Sequence, residues 1–260
     1  VLTAPATLGR TLDPLPPGPE GRLDWANRVR VKLSYGTLTS AALATVLTGV
    51  NAAAVCNASG DWEVFQFLNA TLVGSATYEL SGLLRAQAGT EAAMAAPLAA
   101  GAQFVLLDGA VQPVPAGLDG IRSTLNWRYG PSNRGIGDAS YVTRAHAFQG
   151  LGLRPLSPVH IRGTRDAAGH LSVTWIRRTR LGGDNWELAD VPLAEDNERY
   201  EIDILDGATV KRTLTSTQAS VVYSASEQMA DFGALPAMVT LRVCQVSSVY
   251  GRGSARTVTV

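Results

Sequence analysis

Histidine and cysteine are the first residues to consider, because they supply many of the general bases, nucleophiles and metal ligands of proteins. The 260-residue chain has only five of them: His146, His160, His170, Cys56 and Cys244. No histidine lies near a nucleophile or a carboxylate pair in a known motif, and the cysteines lack the Cys-x-x-Cys spacing of metal or redox sites. We therefore expect surface roles for the histidines, two isolated buried thiols, and no metal or other cofactor.

The densest group of carboxylates lies in the stretch LAEDNERYEID, residues 193–203. A glycosidase needs two carboxylates, one of them with a raised pKa. Here most of the acidic residues fall in a loop or on the outward phase of an alternating strand, so a solvated face is the simpler interpretation. Nucleophile-elbow, Walker A and dinucleotide-binding motifs are also missing from the sequence. The sequence predicts no catalytic residues, and we expect that the chain is not an enzyme.

A binding role is harder to dismiss. The stretch RLGGDNWEL places Trp186 beside Asp184 and Asn185 in a glycine-rich loop. An exposed tryptophan flanked by polar groups offers a stacking face and hydroxyl partners to a sugar or receptor. The alternative, which we favour, is that Trp186 folds back as a loop anchor. The arginines of WIRRTR, residues 175–180, are a weaker candidate for anion binding, and edge protection with salt bridging is the simpler interpretation for them.

Charge and hydropathy exclude several classes of partner. The 22 basic residues balance the 22 acidic ones, and neither half of the chain is a basic arm or an acidic tail. We therefore expect no specific nucleic-acid binding. No apolar run approaches the roughly 20 residues of a membrane span, and the start VLTAPATLGR has neither an initiator methionine nor a signal-peptide pattern. We expect no direct membrane insertion, and we expect the chain to be a piece of a longer protein.

The elements that would position these residues begin after a proline-rich segment. Prolines fix φ and withhold hydrogen-bond donors, so residues 1–24 are predicted to be an extended connector. WANRVRVKL, residues 25–33, then alternates apolar and basic residues, as a strand with one solvated face does. TSAALATVLTGVN, residues 39–51, is rich in alanine and leucine and suits a short helix that ends at Gly49.

Residues 62–154 are predicted to continue as short β elements. WEVFQFL, NATLVG and TYELSGLL suggest three strands of an antiparallel meander. AQFVLLDGAVQPV is predicted to form a hairpin with a tight turn at Asp108-Gly109. STLNWRY suggests another strand, and GPSNRGIGDAS, residues 130–140, a long polar loop. The region 25–154 is thus expected to be one β domain.

From Pro155 the strand signals become more regular. Leu171, Val173 and Trp175 alternate on one face, and Tyr200, Ile202 and Ile204 do so on another strand, with Glu201 and Asp203 pointing outward. A capping box at 224–227 predicts a short helix that ends at Gly233. About seven strands in roughly 100 residues, with turn signals every 8 to 12, are typical of a β-sandwich of the immunoglobulin or fibronectin type.

One long stretch carries a family resemblance. WEVFQFLNATLVGSATYELSGLLRAQAGTE, followed by AGAQFVLLDG, resembles the tail-tip or host-specificity proteins of tailed phages and gene transfer agents. Their large baseplate protein, the megatron, has a Leu-Leu-Arg-Gly-Gln-x-Gly-Thr-Glu signature after a Trp-Glu-Val strand. The similarity continues through HAFQGLGLRPLSPVHIRGTRDAAGHLSVTWIRRTRLGGDNWE and on to the end. Ala86 departs from this pattern, because the family has glycine there, and we expect a tight backbone approach at that point to be relaxed.

The resemblance implies a mostly β fold. It suggests the C-terminal portion of a baseplate protein, with a small tail-hub-like β-barrel or meander and one or two short helices at 25–154. A fibronectin type III-like sandwich is implied at 155–260. Larger family members also carry a glycoside-hydrolase-like TIM barrel upstream, and nothing in these residues corresponds to it. Within LLRAQAGTE we expect Arg85 to bind backbone carbonyls or a carboxylate, Gly89 to make a turn and Thr90 to cap the segment after it.

The function implied by the resemblance is structural. The chain would be a virion component at the distal tail tip of a phage-like particle, made in the bacterial cytoplasm and released with the particle. It would contribute to tail assembly and to attachment to the host envelope before DNA delivery. Expected partners are other tail and baseplate proteins, further copies in a homotrimer, and a host polysaccharide or receptor. The alternative is a carbohydrate-binding adhesin that recognises a cell-surface polysaccharide through Trp186, Asp184 and Asn185.

Overall fold

The protein is mostly β and contains few helices, as the sequence predicts. The computed structural model describes residues 4–114, 117–183, 187 and 190–260. It contains two compact units, residues Val1–Gly150 and Leu151–Val260. Among the described residues no helix is long and apolar enough to cross a membrane.

Six antiparallel strands form a closed barrel in the first unit, in the spatial order β1-β2-β5-β4-β3-β6, with β6 pairing back onto β1. Their bounds are β1 Leu8–Thr11, β2 Val29–Tyr35, β3 Ala52–Cys56, β4 Trp62–Gly74, β5 Thr77–Gln87 and β6 Gln103–Leu106. The alternation seen in the sequence places Val29, Val31 and Leu33 inside, where they pack with Phe65 and Phe67. Closure removes the open edges that a flat sheet of these strands would expose.

The barrel corrects two predictions of local structure. WEVFQFL and NATLVG form one strand of 13 residues, β4, and not two strands, because Asn69 continues the ladder opposite Ser81. The predicted hairpin at Asp108-Gly109 is also wrong. Its first half is β6, which lies between β1 and β3, and no strand follows in the described part of residues 107–117. A local turn signal could not reveal that distant strands occupy both edges of β6.

The proline-rich segment is part of the barrel in the structure. β1 lies between β2 and β6 and supplies the residues that complete the closure. Beyond it, Leu15 is fully buried and exchanges two backbone hydrogen bonds with Leu98, both 2.9 Å long. The expected extended connector at 1–24 is therefore barrel wall at Leu8–Thr11 and barrel core at Leu15. The prolines misled the prediction because they lie just outside β1 and withhold no donor from its ladder.

The remaining elements of the first unit are small. One short helix, α1 (Leu43–Leu47), lies in the predicted helical stretch. Two 3₁₀ turns follow at Glu91–Met94 and Leu118–Gly120. Strands β7 (Thr124–Tyr129) and β8 (Val142–Ala147) form a separate two-stranded sheet, here called the ribbon.

The second unit is a two-sheet sandwich that begins after a 3₁₀ turn at Leu151–Leu153. One sheet has the order β13-β10-β9 and the other the order β12-β11-β14-β15. The bounds are β9 Val159–Arg165, β10 Leu171–Ile176, β11 Tyr200–Asp206, β12 Thr209–Ser216, β13 Ser220–Tyr223, β14 Thr240–Ser247 and β15 Gly251–Thr259. This division of seven antiparallel strands into sheets of three and four confirms the predicted fibronectin type III-like sandwich.

The sandwich core and its helix form as the sequence predicts. Leu171, Val173 and Trp175 of one sheet pack with inward residues of the other, including Tyr200 and Ile202. Helix α2 (Ala225–Phe232) opens with a complete capping box: the Ser224 hydroxyl accepts from the Glu227 backbone N–H, and the Glu227 carboxylate accepts from the Ser224 backbone N–H. Gly233 ends the helix with φ of 72°, a left-handed conformation that glycine adopts without strain.

Candidate functional site

The stretch LLRAQAGTE forms an irregular end of the ladder between β4 and β5. Val64 pairs with Gln87 and Gln66 pairs with Leu84, so Arg85 and Ala86 together face the single residue Phe65. Two residues opposite one define a β-bulge, which re-aims side chains that regular pleating would place elsewhere. Ala86 adopts φ of 53°, and Gly89 turns the chain with φ of 77° as expected.

The bulge directs Arg85 into the protein interior, where it is 1% exposed. Its Nε and Nη2 atoms donate to the two carboxylate oxygens of Glu63, at 2.7 and 2.8 Å. Nη1 donates to the backbone carbonyl of Pro16 at 2.9 Å. The expectation that Arg85 binds a carboxylate or a carbonyl is confirmed, since it binds both. The paired, planar geometry is the strongest hydrogen-bonding mode available to arginine.

The same arginine holds the segment 16–27, here called the strap, against β5. Asp24 Oδ2 lies 3.7 Å from Arg85 Nη1, and Asp24 is 2% exposed. Asp24 and Leu83 exchange backbone hydrogen bonds of 2.7 and 3.1 Å. The Asp24 carboxylate also accepts from the backbone N–H groups of Ala26 and Asn27. Leaving such buried charges unpaired would be costly, so the cluster ties the strap to the barrel.

Glycine at position 18 allows the strap to approach this closely. A Cβ atom built on Gly18 would lie 2.4 Å from Asp24 Oδ2 and 3.0 Å from Arg85 Cγ, so a side chain does not fit. The carboxylates of Asp24 and Glu63 are both engaged by Arg85 or by backbone donors. The chemistry of this cluster is therefore structural, because it fixes the strap to the barrel.

Thr90 corrects one expectation at this site. It precedes the 3₁₀ turn Glu91–Met94, but its side chain makes no capping hydrogen bond. Its hydroxyl donates to the carbonyl of Gln87 at 2.7 Å and accepts from the backbone N–H of Val64 at 3.0 Å. Thr90 thereby connects the turn after β5 to the backbone of β4. This is a long-range role that local capping rules could not indicate.

The carboxylates of the second unit are engaged and not simply solvated. Glu195 lies 3.2 Å from Arg180 Nε, Asp196 accepts from the Ser248 hydroxyl at 2.7 Å, and Glu198 accepts from the Tyr200 hydroxyl at 2.8 Å. Burial, followed by the bond to Glu198, raises the pKa of Tyr200 far above its usual value. These contacts anchor the loop before β11 to its surroundings.

Asp203 is the clearest correction in the sandwich. It faces outward as predicted, but it is only 1% exposed, because Arg242 and Arg252 from β14 and β15 cover it. Their Nη2 atoms lie 2.8 and 2.7 Å from Asp203 Oδ2, and the Thr213 hydroxyl donates to Oδ1 at 2.8 Å. Burial alone would raise the pKa of Asp203, but these donors outweigh it and lower the pKa.

The histidines and cysteines differ in their surroundings. His170 Nδ1 accepts from the backbone N–H of Ala225 at the start of α2, at 3.1 Å, and His146 packs edge-on against Phe148 at 4.8 Å between ring centroids. His160 is exposed and has a positive φ. Both cysteines are free: Cys244 is buried and Cys56 is half-buried. The described residues contain no group of three or more potential metal ligands.

The predicted sugar- or receptor-binding residues Asp184, Asn185 and Trp186 lie outside the described residues. Arginines of WIRRTR, which precedes this loop, bind residues that follow it. Arg177 donates to the carbonyls of Val191 and Pro192 and to Asp190, and Arg180 donates to the carbonyl of Ala194. These two arginines serve as anchors of the loop that joins β10 to β11, through the salt bridging that the sequence suggested.

Comparison with known proteins finds one family model that matches part of the chain and several distantly similar structures. The family model described as Rcc01698-like, C-terminal, matches residues 6–105, a range that covers nearly the whole six-stranded barrel. No curated protein matches the chain. A solved segment of two fibronectin type III domains from chicken tenascin is 9% identical and covers 96% of this chain and 98% of that chain, with a TM-score of 0.29.

Two further solved structures give similar values. The FN1–FN3 domains of chicken CNTN1 are 12% identical and cover 94% of this chain and 67% of that chain, with a TM-score of 0.28. Domains d3–d4 of the rat CD45 extracellular region are 12% identical and cover 59% of this chain and 71% of that chain, with a TM-score of 0.29. Since these TM-scores are below 0.5, the sandwich assignment rests on the strand order of the second unit.

Proposed function

We propose that the chain is a structural component of the distal tail tip, or baseplate, of a phage-like particle of the gene transfer agent kind. The observation that carries this proposal is the match of the Rcc01698-like, C-terminal family to residues 6–105. That range includes nearly all of β1 to β6, the strands that close the barrel. The signature stretch LLRAQAGTE lies inside it, and its arginine holds the strap on the barrel.

The proposed role is assembly and attachment, and not catalysis. The charged side chains that sequence motifs single out, Arg85, Glu63 and Asp203, are engaged with one another or with backbone groups. Such contacts rigidify a scaffold. In this proposal the barrel assembles with other tail and baseplate proteins as a homotrimer in the tail tip of the released particle. The sandwich then attaches to a polysaccharide or receptor of the host envelope.

The assembly role can be tested in particles made by the producing bacterium. Deleting residues 155–260 from the encoded chain should leave tails without part of their distal density in electron micrographs, and DNA transfer to recipient cells should fall at least tenfold. The reason is that the barrel would still assemble while the attachment unit would be missing. Normal distal density together with normal transfer would contradict the proposal.

A point variant in the same particles separates attachment from assembly. Trp186→Ala should leave the distal density unchanged and reduce adsorption to host cells if the loop between β10 and β11 binds a surface sugar or receptor. The matched control is Trp25→Ala, which removes another tryptophan, 61% exposed, from the barrel unit. Unchanged adsorption of the Trp186 variant would remove this loop from the attachment role and leave the assembly role standing.

A further inference from the structure

The ribbon is a two-stranded sheet. β7 and β8 pair with each other and with no other strand among the described residues. Every residue of the two strands is exposed except Trp127 and Ala147, which are half-buried. An isolated two-stranded sheet is at best marginally stable in water and is stabilised by another strand or by packing. The ribbon therefore has the properties of an element that a partner completes.

The outer edge of β7 is well suited to an added strand. Successive side chains of its sequence TLNWRY point to opposite faces of the ribbon. One face carries Leu125, Trp127 and Tyr129. The other face carries Thr124, Asn126 and Arg128. Leu125 is 38% exposed and Tyr129 is 55% exposed. Strand addition uses the free N–H and C=O groups of such an edge for affinity and the alternating side chains for specificity. A complementary strand would alternate apolar and polar residues.

Charge decides which kind of strand fits. Residues 117–150, which contain the ribbon, carry four arginines and two aspartates. Asp138 is engaged by Ser140 and by Arg134, one of these four arginines, so an excess of two positive charges remains. Two such ribbons would repel each other, so self-pairing is disfavoured. Arg128, whose guanidinium lies 5.9 Å from the Tyr141 ring centroid, is instead matched by a carboxylate on the polar face of the incoming strand.

We propose that β7 accepts an extended acidic segment of a partner protein as a third strand of the ribbon. Apolar side chains of the segment pack against Leu125, Trp127 and Tyr129, and one of its carboxylates pairs with Arg128. The surface itself is inferred from the geometry and charge of the ribbon. Only the identification of the partner as another tail protein rests on the proposed function.

The test uses isotope-labelled full-length chain and the capped synthetic peptide Val-Glu-Val-Glu-Val-Glu-Val. Amide signals of residues 124–129 should shift on titration, and their hydrogen exchange should slow at least tenfold at saturation. The matched peptide with lysine in place of glutamate should do neither. A glutamate peptide N-methylated at every residue should also fail, because it lacks the N–H donors that pair with the strand edge. Failure of the glutamate peptide to shift these amides would overturn the proposal.

Two charge variants test the assigned contact. Arg128→Glu should transfer binding from the glutamate peptide to the lysine peptide. Arg144→Glu changes the net charge equally but lies on β8, and it should weaken binding of the glutamate peptide by less than threefold. Equal effects of the two variants would overturn the contact at Arg128. Peptide-induced shifts confined to the barrel or the sandwich would contradict the ribbon as the binding surface. Ribbon signals that change with protein concentration in the absence of peptide would also overturn the proposal, because they would identify a second copy of the chain as the occupant.

Discussion

At the scale of single residues, Ala86 is informative because it is not glycine, although its backbone adopts a conformation that favours glycine. It has φ of 53° at the bulge, at the position where the resemblance described above implies glycine. A side chain with a Cβ atom in the left-handed region costs roughly 1–2 kcal/mol. The conformation persists because the Ala86 N–H donates to Glu63 Oε1 at 3.2 Å, and Glu63 is held by Arg85. The tight backbone geometry is thus retained without glycine.

The substitution Ala86→Gly should therefore stabilise the first unit. We expect its free energy of unfolding to rise by about 0.5–1 kcal/mol, because relief of the strained φ exceeds the entropic cost of glycine. Denaturant unfolding followed by barrel tryptophan fluorescence would measure this. The control Ala52→Gly lies in β3 at ordinary φ and should destabilise by about 0.5–1 kcal/mol. If both variants lose stability equally, the backbone of Ala86 is not strained.

At the scale of elements, the outward face of the larger sandwich sheet is organised by one buried carboxylate. Asp203 on β11 is bonded to Thr213 on β12 and Arg242 on β14, and it also binds Arg252 from the edge strand β15. Four neighbouring strands are therefore joined by side chains on the face that does not contact the core. The pKa of Asp203 is lowered, so its ionised form is stabilised by folding.

This arrangement predicts a dependence of sandwich stability on pH. A carboxyl group with a lowered folded pKa contributes stability above its unfolded pKa, about 3.9. That contribution is lost as the pH falls below about 4 towards the lowered folded value. Asp203→Asn should cost about 2 kcal/mol at pH 7 and should reduce the loss of stability between pH 5 and pH 3. Urea unfolding at several pH values would measure both effects.

A comparison variant isolates this contribution. Asp206→Asn removes a carboxylate from the same strand, but its partner Lys211 lies 3.3 Å away in an exposed ion pair. We expect this variant to follow the wild-type dependence on pH, because exposed pairs contribute little. Parallel curves for the wild type and the Asp203 variant would show that Asp203 does not carry the acid sensitivity.

At the scale of the whole molecule, each unit has its own hydrophobic core. One is centred on residues such as Phe65, Phe67 and Leu80, and the other on Tyr200, Ile202 and Val243. Separate cores allow separate unfolding, so scanning calorimetry should resolve two transitions. Ala86→Gly should move only one of them and Asp203→Asn only the other. A single transition whose calorimetric and van't Hoff enthalpies agree would contradict this prediction.

Much of the architecture could be predicted from the sequence alone. Alternation placed Val29, Val31, Tyr200 and Ile202 inside, and the capping box at Ser224 with Gly233 delimited α2. These features are local. A cap or a turn depends on a few neighbouring residues, and the alternation of a strand shows which of its faces is buried. For the same reason the mostly β character and the sandwich followed from the pattern of strands and turns.

Only the tertiary structure decided which distant segments meet. It made Leu8–Thr11 a barrel strand, gave β6 two neighbours in place of a hairpin partner, and buried Asp203 under two arginines from other strands. It also brought Asp24 and Glu63 to Arg85 across a bulge. Strand pairing and ion pairing across tens of residues depend on closure of the whole sheet. Local propensity carries no information about that closure, and so no pattern in the sequence could reveal these contacts.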